Sequence, residues 1–365
     1  MVGAVLGKNA TISASQVFGT VSVLAMDPGV YAERWRDIAQ GLVPYIEVEF
    51  EHFPLALLLI SMTGIISDSL GIQFTALFPW VTGLLTGVTA YVVHRTSLAM
   101  EEPRGVLRFL ILIASLLPLT LYRADILPTL FAALAMMAWV QGHDLRGTTA
   151  AIAGVLAKGW PALLAATEFW RGSRLRALVL GGSGLVVGAV LLSLPGFQSG
   201  RAFSGIHQET VAGSVILFWR HLSGARLGHI YQAGAVYIDT AWWVPLVNFA
   251  FGASLGVLAL TGIRKQFNWR RAHLMAAALT CSLLLASPLL SAQFLVWPVA
   301  FLALVARYRV IALHTAASLI TVVLVGFWDN HEFWWSSALL ARNLILIALT
   351  TTLVVAAANG REHTR

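Results

Sequence analysis

Residues 149–170, TAAIAGVLAKGWPALLAATEFW, are apolar over a length that would cross a membrane, but they carry Lys158-Gly-Trp-Pro161 at their centre. About 20 apolar residues span a bilayer as a helix. A Pro breaks the helical hydrogen bonds, and a charge at mid-membrane costs roughly 2.5–3.5 kcal/mol on insertion scales. The stretch therefore predicts two half-length helices that enter and leave on the same side. Complete crossing is the alternative, and it would invert the Lys and Arg bias of the later loops.

Composition extends this prediction to the whole chain. Of 365 residues, 58% are hydrophobic and only 11% are charged, and the mean hydropathy is +0.77. Soluble domains carry about 25% charged residues, so a soluble protein is excluded. An all-α polytopic membrane protein forming one domain, residues 1–365, is predicted. Despite the net charge of +7, a nucleic-acid partner is not expected, because the Arg residues are scattered in short loops. The single Cys281 excludes an internal disulfide.

Apolar runs recur along the chain and predict about 10–12 transmembrane or re-entrant helices. Residues 10–26 are expected to form a retained helix rather than a signal peptide, because a basic start and a small-residue cleavage site are missing. Residues 54–66 would reach only about 20 Å as a helix, too short to cross unaided. Spanning helices are predicted near 72–93, 107–122, 125–141, 175–195, 242–263, 272–287, 289–306, 309–327 and 338–358.

The distribution of charge predicts which loops share a side. If both short pieces are re-entrant, one set of loops collects the Lys and Arg residues, as cytoplasmic loops do. That set contains Arg95, Arg104, Arg108, Arg146, Arg171, Arg174, Arg176, Arg264, Lys265, Arg270, Arg271, Arg307, Arg309, Arg361 and Arg365. Most of the acidic residues and half of the His residues fall on the other side. The extracytoplasmic face is therefore predicted to hold a first loop, residues 27–53, and a long loop, residues 196–241.

Asp27 opens the first loop. Asp-Pro-Gly can be a simple turn, but apolar Tyr31, Trp35, Ile38 and Leu42 then recur at helical spacing opposite charged residues. This pattern indicates an amphipathic helix in the membrane interface. Such a helix would place Asp27 at the membrane surface, where its carboxylate could meet a polar acceptor.

Two further elements follow on the same face. Residues 47–54 alternate acidic and apolar side chains before Pro54; they could be a solvated strand edge, or they could place Glu51 and His52 at the mouth of a pocket. Tyr122-Arg123-Ala-Asp125 could be a charged pair capping two helices. An Arg at such a junction is also suited to bidentate phosphate binding.

The remaining candidates are a lysine and two polar stretches. Lys158, one of three Lys residues in the chain, could snorkel to the interface, but binding of a buried anion explains it better. Residues 200–210 hold Arg201, His207, Gln208 and Glu209, which suit either an ordinary wet loop or donors for sugar hydroxyls and phosphate. Ser287-Pro288 with Gln293 is mainly a structural turn. Residues 329–332 lack the second His at i+3 or i+4 that a metal motif would need.

Taken in order, these motifs resemble the polyprenyl-phosphate-dependent glycosyltransferases of the C superfamily, in particular glycosyltransferase family 87, the bacterial α-mannosyltransferases that act outside the membrane. The resemblance covers most of the chain. Its motifs are Asp27-Pro-Gly-Val-Tyr31, Gly41-Leu-Val-Pro44-Tyr45, Phe50-Glu-His-Phe-Pro54, Arg123-Ala-Asp125, Lys158-Gly-Trp-Pro161, Ile206-His-Gln-Glu209, and Ser287-Pro288 with Gln293-Phe-Leu-Val-Trp297. Each motif is short, so their order and spacing carry the resemblance.

The resemblance implies inverting transfer of a sugar, most often mannose, from a polyprenyl-phosphate donor to a glycolipid or lipid-linked glycan, at the outer face of a bacterial cytoplasmic membrane. Asp27 would be the general base. Cationic side chains would stabilise the departing phosphate, with Lys158 and Arg123 foremost and Arg201 and His207 behind them. The substrate-binding residues would be Tyr31, Glu51, His52, Asp125, Gln208, Glu209 and Gln293. No Asp-x-Asp pair follows the first helix, so no metal or other cofactor is expected.

One departure and two alternatives qualify this interpretation. The family usually has Tyr-Pro-Pro where this chain has His52-Phe-Pro54, which leaves the role of that element open and could mark a different acceptor. A secondary transporter or lipid flippase would also use intramembrane Lys and Arg, but it predicts acidic residues inside the helices. A ligase that moves a whole glycan from a polyprenyl diphosphate would need a large external loop, for which residues 196–241 could serve.

Overall fold

The computed structural model describes residues 26–197, 205–225, 228–232, 235–264, 266–305, 307–326 and 333–359. The chain is predominantly helical. Its α-helices are α1 (Met26–Ala39), α2 (Pro54–Leu70), α3 (Phe74–Ala99), α4 (Gly105–Ala114), α5 (Leu117–Tyr122), α6 (Ile126–Val140), α7 (Asp144–Ala157), α8 (Ala165–Trp170), α9 (Arg174–Ser193), α10 (Val211–Ser223), α11 (Trp243–Leu260), α12 (Trp269–Ala286), α13 (Val299–Val305), α14 (Tyr308–Gly326) and α15 (Phe333–Asn359). Short 3₁₀ turns cover Trp160–Leu164, Thr261–Arg264 and Ala292–Val296.

Five helices within the described ranges are long and apolar enough to cross a membrane: α3, α9, α11 with its 3₁₀ extension, α14 and α15. They match five of the nine predicted spans. Their outer faces carry large apolar side chains, such as Trp80 on α3 and Leu185 on α9, which are 79% and 77% exposed. Apolar surface of this extent is expected where lipid replaces water. The chain is therefore a membrane-embedded helical protein.

Two predicted spans are broken. The region predicted as one helix over 289–306 contains a 3₁₀ turn and the seven-residue α13, separated at Trp297 and Pro298. The region 107–122 divides into α4 and α5 just before Pro118. A proline cannot donate to the preceding turn, and a buried apolar run looks the same in sequence whether it is continuous or broken. The predicted first helix, residues 10–26, lies outside the described residues except for Met26.

The core lies where α4, α6, α12 and α13 meet. Its largest fully buried side chains include Phe109, Trp139 and Phe301. Close helix contact is possible because small residues face each other: a Cβ on Gly252 of α11 would lie 2.2 Å from the backbone nitrogen of Ala286. Small residues at helix crossings are typical of membrane proteins.

The long loop contains a small sheet, which the all-α prediction did not include. Strands β1 (Ile206–His207), β2 (His229–Gln232) and β3 (Ala235–Ile238) form an antiparallel sheet in the order β1-β3-β2. Ile206 pairs with Ile238 and His207 with Tyr237. Residues 206–210 are all buried, so this part of the stretch is not an ordinary wet loop, while residues 200–204 lie outside the described residues.

The segment from α7 to α8 turns back on itself. Helix α7 ends at Ala157, Lys158 is extended, and the chain then returns through the 3₁₀ turn and α8. At the other end of this hairpin, Arg171 donates to Asp144 at 2.6 Å. The two ends of the segment therefore meet at one end of the bundle, with Lys158 at the tip, as the re-entrant hypothesis requires.

The two ends of helix α2 both lie close to helix α1. It runs to Leu70, four residues beyond its predicted end, where Gly71 terminates it in a left-handed conformation (φ 64°). Tyr31 on α1 contacts both His52, just before α2, and Phe78, early in α3. Trp35 on α1 donates to Asp68 near the end of α2 at 2.9 Å. Both ends of α2 therefore lie beside α1.

Candidate functional site

The first charged pair of the site joins Asp27 to Arg123. Asp27 lies in the first turn of α1, where a carboxylate is favoured by the helix dipole. Arg123 occupies the extended junction between α5 and α6, and its guanidinium forms an ion pair with the Asp27 carboxylate. Each side chain keeps about a fifth of its surface exposed. The predicted base and a predicted phosphate ligand are thus in direct contact.

The second pair joins Asp125 to Lys158 at the hairpin tip. Lys158 Nζ lies 2.7 Å from Asp125 Oδ1, and Trp297 Nε1 donates to the same oxygen at 2.7 Å. The ammonium also lies 4.5 Å from the ring centre of Phe294 and 5.1 Å from that of Trp297, within cation–π range. The buried anion that Lys158 was predicted to need is therefore, in this structure, the carboxylate of Asp125.

Glu51 and His52 form the third part. Val48 and Phe50 are buried and Glu47 and Glu49 are exposed, so the alternating stretch presents its apolar side inward. Glu51 then lies 3.6 Å from His52 and 3.7 Å from Arg34 of α1. The Tyr45 hydroxyl fixes the backbone beside them by donating to the His52 carbonyl at 2.6 Å.

Tyr31 lies among these three groups and is 3% exposed. Its ring meets the His52 imidazole edge to face, with centres 5.1 Å apart. Burial raises the pKa of the Tyr31 phenol well above its usual value; the charges of Asp27, Asp125 and Glu51 add to this rise, and Arg123 opposes it. The phenol therefore stays protonated at neutral pH. All four charged groups therefore act on the Tyr31 phenol.

The fourth part comes from the long loop. His207, Gln208 and Glu209 are buried, and Glu209 forms an ion pair with Arg342 of α15 at 3.0 Å. Burial raises the pKa of Glu209, while the positive charges of Arg342 and Arg123 oppose the rise. The charge of Arg123 therefore acts on the carboxyl of Glu209 in this part of the loop.

Two predicted site residues are less directly connected. Gln293 accepts a hydrogen bond from Ser291 at 2.5 Å and precedes Phe294, the ring beneath Lys158. Arg201 lies outside the described residues, as does the polar stretch 329–332. Leu42, predicted to continue the apolar face of α1, lies beyond the end of that helix and is 38% exposed.

Three residues of the site were not singled out from sequence: Trp297, Arg342 and Asn343. Trp297 was noted only as part of a motif, and a buried indole usually finds an acceptor for its N–H. The sequence did contain a signal for Arg342. It is a charged residue within a predicted spanning helix, and such residues are rare and commonly functional.

The cluster thus combines carboxylates, cations and buried aromatic rings at one end of the bundle. Within the described residues, no group of three or more His, Cys, Asp or Glu side chains could hold a metal ion. The arrangement could accept a proton at Asp27 and bind an anion at Arg123 or Lys158 in exchange for the carboxylate now held there. No protein-family model, curated protein or solved structure matches the chain.

Proposed function

We propose that the chain is a membrane glycosyltransferase. It transfers mannose, with inversion, from polyprenyl-phosphate-mannose to a glycolipid or lipid-linked glycan at the extracytoplasmic face of the membrane. The observation that supports this most is the pairing of Asp27 with Arg123 beside Asp125 and Lys158. These pairs supply the carboxylate and the two cations that such a transfer needs, with Lys158 at the tip of the hairpin formed by α7 and α8.

In the proposed reaction the acceptor hydroxyl attacks the anomeric carbon of the donor sugar. Its proton passes to the Asp27 carboxylate, a new C–O bond forms, and the bond between the anomeric carbon and the phosphate oxygen breaks with its electron pair remaining on the phosphate. Arg123 and Lys158 stabilise that developing charge. The reaction balances without any further reactant.

The ion pairs suggest an order of binding. While Arg123 holds Asp27, the carboxylate is neutralised by a cation and is a weaker base. A donor phosphate that attracts Arg123 would leave Asp27 free to accept the acceptor's proton. The donor should therefore bind before the acceptor is activated.

The test compares wild type with Asp27→Asn, using purified protein in detergent, radiolabelled polyprenyl-phosphate-mannose and an extract of membrane lipids. Asn keeps the shape of the side chain but cannot take up the proton. We expect transfer to fall by about 10²–10⁴, the usual range for loss of a general base, while donor binding is retained. Asp37→Asn, on the same helix and outside the cluster, is the matched control. If Asp27→Asn transfers sugar at the wild-type rate, Asp27 is not the base.

A second candidate, a secondary transporter, is favoured by one observation. Glu209 and Arg342 form a fully buried charged pair against a spanning helix, and buried charges at that depth often mark ion pathways. If wild type consumes no polyprenyl-linked sugar, the transferase proposal fails. Ion-coupled uptake into proteoliposomes is then the next measurement.

A further inference from the structure

Arg342 is the most deeply placed charged residue of the cluster. It is the tenth residue of α15, so it lies about 14 Å along the axis from the start of that helix. Its side chain is 1% exposed. A charge in such a place is costly unless it is fully paired, so its partners should indicate its role.

Those partners are Glu209 of the long loop and the neighbouring Asn343 of α15. Arg342 Nη1 donates to the Glu209 carboxylate at 3.0 Å, and Nη2 donates to the Glu209 backbone carbonyl. Nε and Nη2 also donate to Asn343 Oδ1 at 3.1 and 2.9 Å. The planar guanidinium thus engages both the side chain and the backbone of one loop residue, a geometry that a lysine cannot reproduce.

The adjacent Asn343 completes the attachment. Its amide nitrogen donates to the carbonyls of Glu209 and Thr210 at 3.1 and 2.9 Å, and to the Ser214 hydroxyl at 2.9 Å. Because Arg342 holds the oxygen of the Asn343 amide, it also orients that nitrogen towards the loop. The two residues act as one unit.

The opposite side of the loop is held by backbone contacts. His207 donates its N–H to the Pro288 carbonyl at 3.2 Å, and Ala212 donates to the Asn248 side chain at 3.3 Å. Asn248 in turn donates to the carbonyls of Leu285 and Ser287 at 3.0 and 3.2 Å. The loop therefore lies between α15 on one side and α11 and α12 on the other, and α15 supplies its charged attachment.

We propose that Arg342 is a positioning residue that holds residues 206–210 inside the bundle through Glu209 and Asn343. The role of His207 and Gln208 towards the donor rests on the proposed function, whereas the attachment of the loop does not. Arg342 itself acts through Glu209 and Asn343.

The attachment is tested by amide hydrogen exchange in detergent, which needs no substrate. Arg342→Lys keeps the charge but not the planar, branched guanidinium group. Asn343→Ala removes the amide that donates to the loop, without leaving a buried charge unpaired. We expect exchange over residues 206–214 to rise about tenfold or more in both variants, the size expected for loss of a hydrogen bond to a charged group. Exchange in α3 and α6 should not change. Arg104→Gln, whose side chain contacts Tyr308 far from the loop, is the control.

A kinetic measurement separates positioning from general stability. If wild type transfers sugar, Arg342→Lys should raise the KM for the donor about tenfold and change kcat by less than about threefold, because binding of the donor and not the chemical step is affected. Unchanged exchange over residues 206–214 in both variants would overturn the inference even if the enzyme is a transferase. Raised exchange in a protein that transfers no sugar would leave the attachment standing and remove only the proposed function.

Discussion

The two ends of the bundle both hold ion pairs, but they arrange them differently. At the end containing α1, Asp27 contacts Arg123 and Asp125 contacts Lys158, and three of these four side chains keep about a fifth or more of their surface exposed. At the other end, predicted to be cytoplasmic, two carboxylates share two guanidinium groups. Those four contacts join Asp144 to Arg171 and Arg176, and Glu168 to the same two residues.

The two arrangements of ion pairs indicate two roles, a structural role at one end and a binding role at the other. In the shared group, each Arg contacts two carboxylates, so an external anion that displaced one contact would leave the other in place. Trp269 also lies against Arg171, 5.0 Å from the guanidinium to the ring centre. We infer that this group closes the hairpin of α7 and α8 as a structural latch. The pairs at the α1 end can exchange a carboxylate for a ligand anion.

The largest expected effect in stability is that of Glu168→Gln in the latch. Glu168 is fully buried and contacts Arg171 and Arg176 at 2.5 Å each. Gln loses both charge-assisted bonds from the two guanidinium groups at a fully buried site, so we expect the free energy of unfolding to fall by about 3 kcal/mol, although Asp144 still pairs with both arginines. Sugar transfer per folded molecule should not change. Unfolding by denaturant in detergent, followed by helical circular dichroism, measures the loss.

The matched control for the latch is Glu102→Gln. Glu102 also contacts two guanidinium groups, those of Arg108 at 3.5 Å and Arg270 at 3.1 Å, but Arg270 is half exposed. Such pairs contribute about 1 kcal/mol or less. If Glu168→Gln instead abolishes transfer in a protein of normal stability, the distinction between the two ends fails.

The next largest expected effect is weaker donor binding when Lys158, at the tip of the hairpin formed by α7 and α8, is substituted. Lys158→Met removes the ammonium and keeps the apolar stem, and Asp125 retains its hydrogen bond from Trp297. We expect affinity for polyprenyl-phosphate-mannose to fall about 10–100-fold, corresponding to loss of one charge-assisted contact, with little change in stability. Titration calorimetry in detergent measures it. Arg146→Met, on the exposed far end of the same hairpin, should bind the donor normally.

A result in the opposite direction would be equally informative for Lys158. If Lys158→Met binds the donor as wild type does but unfolds much more readily, the Asp125–Lys158 pair is a latch like the one at the other end. The comparison would then rest on Asp27 and Arg123 alone.

Sequence patterns predicted the features that depend on local chemistry. Lys158-Gly-Trp-Pro161 breaks its helix because proline and a buried charge disfavour continuation, and the spacing of Tyr31 and Trp35 indicated α1. The grouping of the acidic motifs at one end also followed from the distribution of charge. The first two of these signals are each contained within about 20 residues, whereas the distribution of charge is a property of the whole chain.

Features that depend on distant partners could not be predicted in the same way. Lys158 was expected to bind an anion, but Asp125 lies 33 residues away, and Arg342 and Glu209 are separated by 133. Two cations and several carboxylates allow many pairings, and only packing selects among them. The break at Trp297 was missed because burial on all sides removes the periodicity that would reveal it. The three-stranded sheet was missed because its strands are only two to four residues long.

The smallest expected effect concerns the pH dependence of the latch. The hydrogen bond from Arg171 lowers the pKa of Asp144 below its usual value of 3.8. The folded protein therefore favours the charged form of the Asp144 carboxyl. A carboxyl whose pKa is lower in the folded state contributes stability above the unfolded pKa, and that contribution is lost as pH falls through the folded value.

Asp144 is 37% exposed, and water screens its charge, so Asp144→Asn should cost only about 0.5 kcal/mol near neutral pH, as exposed ion pairs do. The gap in unfolding free energy between wild type and Asp144→Asn should stay constant down to about pH 5 and close below the ordinary Asp value. Denaturant unfolding at a series of pH values measures this gap. A gap of several kcal/mol, or one that widens in acid, would mean that Asp144 rather than the buried Glu168 closes the latch. The contrast between the two ends would then need another explanation.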